Sequence, residues 1–148
     1  MDCPACQRIA AVAGPGASRA GLFVALLEET VVFLHDHQRY EGWCVLFLRE
    51  HAEHLSDLPI ERQARIFGEV ARVAAAVRAV LNPRRINYEC LGNQLAHVHW
   101  HVIPRSAAPA DPEPRETVWV RPAQERECGH DPARAAGLVD RLRRTLER

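Results

Sequence analysis

His97-Val98-His99-Trp100-His101-Val102-Ile103 alternates histidine with apolar residues. In an extended strand successive side chains leave on opposite faces, and Cα atoms two residues apart are about 6.6 Å from one another. His97, His99 and His101 therefore share one face, while Val98, Trp100 and Val102 share the other, a face for packing against a helix. The imidazoles need a separate reason. With 8 histidines in 148 residues, the expected number of chance His-x-His-x-His runs is about 0.02. A merely solvated face would be served as well by lysine, threonine or glutamate. Near neutral pH imidazole is a nucleophile, and its phosphorus adduct is labile to water. A neighbouring imidazole can hold phosphate oxygens or help a leaving group. The row points to phosphoryl chemistry.

Working outward, Arg85–Leu91 reads as the strand before the triad strand, with Gly92-Asn93 starting the turn between them. Phe23–Leu27 and Thr30–Leu34 read as a hairpin, and Trp43–Leu48 as a third strand too apolar for an exposed edge. Pro59 opens a helix in its first turn. Ile66, Phe67, Val70, Val73, Val77 and Leu81 form its apolar stripe; Arg62, Arg65, Glu69, Arg72 and Arg78 fall mostly off it, and Asn82-Pro83 ends it. Residues 10–21 read as a flexible connection and 106–116 as a surface loop, followed by a short strand over Thr117–Val120. Asp131 caps a final helix over Pro132–Leu146 that buries Leu138, Val139 and Leu142. The order predicts an α+β fold: a mostly antiparallel sheet of about five strands, a long helix packed on it and a C-terminal helix. One domain over 1–148 is expected, with an N-terminal Cys-pair segment (1–21), a core (22–105) and a variable segment (106–148).

Composition narrows the partners. Lys+Arg and Asp+Glu both count 19, which gives no basic surface for nucleic acid or an anionic membrane. No apolar run approaches a membrane span, and Met1-Asp2-Cys3-Pro4 does not begin a secretion signal, so the expectation is a cytoplasmic protein. No glycine-rich phosphate loop and no organic-cofactor motif occurs. The odd count of 5 cysteines argues against a disulfide framework. Cys44 and Cys90 sit in apolar segments and read as buried small hydrophobes; only Cys3 and Cys6 have a spacing that suggests chemistry.

The stretch from Asn87 to Arg105 (NYECLGNQLAHVHWHVIPR) resembles the histidine triad (HIT) family of nucleotide hydrolases and transferases. Their signature is three histidines alternating with apolar residues, often closed by Pro-Arg, as Pro104-Arg105 closes it here. The likeness runs more weakly from Cys3 to about Val120. It implies an α+β fold, a homodimer whose sheets join across the two-fold, and a nucleotidyl-histidine intermediate on the middle histidine. His99 would then be the nucleophile, and His101 would contact the α-phosphate or help the leaving group. His97 completes the catalytic triad. Asn87 matches an upstream amide that binds phosphate or orients the site, and Asn93, with Gln94 beside it, matches a polar residue that touches phosphate. Turn chemistry is the alternative for both asparagines. Asp36 lies where relatives place a group on the ribose. The implied activity is hydrolysis of nucleoside phosphoramidates or dinucleoside polyphosphates. Nucleotidyl transfer to a phosphate acceptor, or nucleotide binding with little turnover, is the alternative. Many members carry a histidine in a Gly-His or Thr-His step where this chain has Gly42-Trp43. Trp43 then either stacks on a base or fills space, with packing the favoured reading.

Cys3-Pro4-Ala5-Cys6 alone is half of a tetrahedral thiolate site or a redox pair. The resemblance supplies the rest. Some histidine-triad proteins and the related galactose-1-phosphate uridylyltransferases bind Zn²⁺ with an N-terminal Cys pair, a histidine after the third strand and the first triad histidine. Those positions are Cys3, Cys6, His51 and His97 here, a structural zinc site in which His54 is the alternative to His51.

Overall fold

Strands that are apolar on both faces have to be covered on both faces, and that requirement sets the layers of this molecule. The computed structural model describes residues 3–14, 16, 17, 19, 21–106, 111, 115–129 and 131–148. In chain order the elements are α1 (Pro4–Ala13), β1 (Phe23–Leu26), β2 (Thr30–Leu34), β3 (Cys44–Leu48), α2 (Ile60–Leu81), β4 (Arg85–Glu89), β5 (His99–Arg105), α3 (Ala123–Arg126) and α4 (Pro132–Leu146). The strands form one sheet in the order β1-β2-β3-β5-β4, with every neighbour antiparallel. The expected α+β architecture is the one observed.

The triad strand is interior. β5 pairs with β3 through Phe47↔His99 and Val45↔His101, and with the edge strand β4 through Glu89↔His101. Val98, Trp100 and Val102 pack with Leu46, Leu48, Ile66, Val70 and Val77 into the main core, beneath α2 and α4. On the opposite face, Ile9 and Val12 of α1 cover Phe33, Val45 and Phe47. Arg8 of that helix lines a hollow that also holds His99 and His101. The Asp131 carboxylate accepts from the N–H groups of Ala133 and Arg134, so α4 starts where its cap was expected.

Several boundaries differ from the expectations, each for a physical reason. The segment over 10–21 is not all connection, because α1 runs to Ala13; its propensity is alanine-based and its buried side depends on docking to the sheet. Pro59 is the cap rather than the first helical residue, since its carbonyl accepts the N–H groups of Arg62 and Gln63 while its ψ is extended. Phe67 lies on the flank of the stripe, 55% exposed beside Trp100. Glu69 is buried instead, accepting from Glu29 N–H at 2.9 Å and Thr30 Oγ1–H at 2.6 Å. The triad strand begins at His99 rather than His97, and β4 ends at Glu89. Cys90, just beyond that edge, is exposed rather than buried. Val118–Val120 is a 3-10 turn, not a strand, with Val118 packed on Tyr40, Trp43 and Ile103. Of the expected surface loop over 106–116, residues 107–110 and 112–114 lie outside the described residues. Asp111 within it is buried, paired to Arg105 at 2.6 and 3.2 Å.

Candidate active site

The strand period aims His99 and His101 into the hollow beside α1, their ring centroids 5.1 Å apart. Hydrogen-bond partners then assign their protons. Nδ1 of His99 lies 2.7 Å from the carbonyl oxygen of His97. A carbonyl only accepts, so Nδ1 carries the hydrogen, and Nε2 of the neutral ring keeps a bare lone pair. His101 is the reverse. Its Nδ1 accepts the indole N–H of Trp43 at 3.0 Å, which puts the hydrogen of the neutral ring on Nε2. Burial first, and then the neighbouring His99 and His35, push the His101 pKa down to about 3, so the ring is neutral near pH 7. One imidazole offers a lone pair, and its neighbour offers an N–H.

The hollow has a volume of about 620 Å³. Phe47, Leu95 and Trp119 supply apolar wall; Asn93 and Gln94 reach it from the loop after β4. Asp36 stands at the rim, gripped by both terminal nitrogens of Arg8 at 2.9 and 3.1 Å. Burial acts to raise the Asp36 pKa, but Arg8 and the flanking His35 and His37 together hold it below its ordinary value. Asn87 lies outside the hollow, its amide donating to Glu89 at 3.3 Å, while Glu89 also receives the Trp119 indole N–H.

His97 faces a different site. Its ring is 1% exposed, and its Nε2–H donates to the Leu48 carbonyl at 2.8 Å, which leaves Nδ1 as a bare ligand atom. That nitrogen lies 3.5 Å from Cys3 Sγ and 3.6 Å from Cys6 Sγ; Nδ1 of His51 lies 3.6 Å from Cys6 Sγ. The ligand atoms of all four residues fall within 4.8 Å of one another. A tetrahedral zinc with bonds of about 2.3 Å to sulfur and about 2.05 Å to nitrogen separates S and N by about 3.6 Å. The four residues fit that ion, and a ring N–H given to a carbonyl is the usual way to fix a metal-binding tautomer. His54, the alternative ligand, is exposed and outside the cluster.

A family model of the HIT domain matches residues 21–108, more than half of the sequence. The chain belongs to the HIT family. Membership places this HIT protein among nucleotide-binding proteins and nucleotide hydrolases or transferases. Its fold is shared with solved histidine triad proteins. One from Sinorhizobium meliloti matches with a TM-score of 0.75 and 23% identity over 86% of this chain and 90% of that one. One from Marinobacter aquaeolei matches with a TM-score of 0.75 and 22% identity over 95% and 93% of the two chains. A Zn-bound histidine triad family protein from Mycobacterium smegmatis matches with a TM-score of 0.67 and 21% identity over 99% and 94%. No curated protein matches the chain.

The HIT fold thus brings His99, His101, Asn93, Gln94 and Asp36 to one hollow, sends His97 to the cysteines, and holds Asn87 back on β4. Sequence reasoning missed Arg8 at the same hollow, named His35 only as the neighbour of Asp36, and gave Trp43 no polar role. Only the nearness of Arg8 to the Cys pair, and the unusual Gly42-Trp43 step, offered a signal.

Proposed function

We propose that this HIT protein hydrolyses nucleoside phosphoramidates or dinucleoside polyphosphates by way of a nucleotide bound covalently to His99. The observation that carries the reading is the tautomer pair: a bare Nε2 on His99 beside an Nε2–H on His101, in one hollow. His99 Nε2 attacks the α-phosphorus, and a P–N bond forms as the bond to the amine or phosphate leaving group breaks. The leaving group keeps the bonding pair and takes a proton from water. The His97 carbonyl stabilises the cationic ring so formed, because it already holds the Nδ1–H. His101 donates a hydrogen bond, not a proton, to a phosphoryl oxygen. Water then displaces His99, releasing the nucleoside monophosphate and one proton. A phosphate acceptor in place of water would make the protein a nucleotidyltransferase.

In this reading Asn93 and Gln94 contact phosphate, Asp36 contacts the ribose, and Asn87 acts by holding Glu89 rather than by touching substrate. Cys3, Cys6, His51 and His97 hold a structural Zn²⁺, supported by their spacing and the tautomer of His97. The homodimer belongs to the same reading: β4 is an edge strand with Tyr88 exposed, suited to joining a second copy's sheet. None of the five cysteines is in a disulfide, which suits a reducing cytoplasm. Turnover of adenosine phosphoramidate and diadenosine polyphosphates, with an acid-labile nucleotidyl-protein trapped on rapid quenching, tests the reaction. His99→Ala should abolish both signals. Wild-type turnover no faster than that of the variant would leave nucleotide binding without catalysis.

A further inference from the structure

Trp43 stands where many members of the family carry a histidine. It is wholly buried, within a cluster of packed rings. His35 stacks on it at 4.0 Å and 10°, while Tyr40 and Trp119 meet it edge-on at 6.1 and 5.7 Å. Held this way, the indole aims its one polar atom at Nδ1 of His101, 3.0 Å away.

We propose that Trp43 is a positioning residue that locks His101 in the Nε2–H tautomer, so that the substrate meets a fixed hydrogen-bond donor. An indole N–H donates and never accepts, and it does not titrate in water. A histidine in its place could donate in one tautomer and accept in the other, leaving His101 two solutions. With tryptophan there is one. Bulk alone does not require this contact, since packing in this aromatic cluster needs a large flat ring and not an N–H aimed at His101. The kinetic consequence rests on the reaction proposed for His99; the tautomer does not.

The test uses the full chain with ¹⁵N-labelled histidine and tryptophan. The wild type should show His101 as the Nε2–H form alone, with a ¹⁵N–¹⁵N coupling across the hydrogen bond to the Trp43 indole. Trp43→Phe should populate both tautomers and lower kcat for adenosine phosphoramidate by about tenfold, with KM within about threefold. Trp43→His should recover part of that loss, which a packing role would not predict. An Nδ1–H form of His101 in the wild type, or an absent coupling, overturns the proposal whether or not any variant folds. So does a folded Trp43→Phe that keeps the single tautomer or the wild-type kcat. A wild type without turnover removes the proposed reaction and leaves the coupling and tautomer to decide.

Discussion

His99 donates its Nδ1–H to the backbone carbonyl of His97, at 2.7 Å, while the ring of that same His97 reaches Cys3 and Cys6. The residue that orients the proposed nucleophile is therefore a corner of the proposed metal site. Damage to one should be felt at the other.

The first expectation follows from that sharing. Protein purified without added metal should carry about one zinc per chain. Chelation should lower the melting temperature by about 10 °C, the shift that about 4 kcal/mol of ligand linkage gives a chain of this length. Cys3→Ser with Cys6→Ser should reproduce it. Metal content below a tenth of an equivalent, with both thiols freely reactive, would remove the zinc site.

Acid should weaken the fold before it reaches the carboxylates. His101 is neutral when folded, held down to about 3, whereas the unfolded chain titrates it near 6.5. Between those values the unfolded state binds the extra proton, so stability falls as pH drops below about 6.5 and is unaffected by this group above it. Burial lowers His35 and His97 in the same direction. Urea unfolding with chelator present should lose about 2–3 kcal/mol from this group between pH 7.5 and 4.5. His101→Gln should flatten that slope; an undiminished slope would place the loss elsewhere.

Glu29 is a third point. Its buried carboxylate takes Arg62 at 2.7 and 2.9 Å and Arg65 at 2.8 Å, and Arg62 holds its pKa below the ordinary value. The stabilisation is present above that ordinary value, 4.5, and is lost as pH falls through the lowered one. Glu29→Gln removes the buried carboxylate that the two arginines share, leaving Arg62 with Glu50 and Arg65 with Glu28, and should cost about 2 kcal/mol by chemical unfolding. A change below about 0.5 kcal/mol would mean that water serves the arginines as well.

Asp36 should matter to binding more than to chemistry, being at the rim rather than beside His99. Asp36→Ala is expected to raise KM about tenfold and leave kcat within about threefold. A 2′-deoxy substrate should lose its disadvantage in the variant. If the discrimination persists, the ribose is read by another group.

What could be read in advance was local. A period of two gave the triad strand its faces, and Asp131-Pro132 marked a helix start, because both signals depend on neighbours in sequence. The misreadings are tertiary. The last turn of α1, over 10–13, read as connection because Val12 is buried only by docking against the sheet. Glu69 looked solvated because its partner is a backbone N–H forty positions away. Trp43 packs as expected, but nothing in Gly42-Trp43 announces that its indole N–H also reaches the His101 ring. His97 is a different case: it reads both as a member of the catalytic row and as a zinc ligand, and its ring lies with Cys3 and Cys6.

Cys3 and His97 are separated by 94 positions. Closing a loop of that length costs entropy that contacts within a helix do not. During refolding, secondary structure and the α2–α4 core should therefore appear before the Cys3–His97 contact closes. Stopped-flow circular dichroism compared with the first appearance of turnover would show the delay. Competence in this molecule would be an event in time, arriving as a last latch.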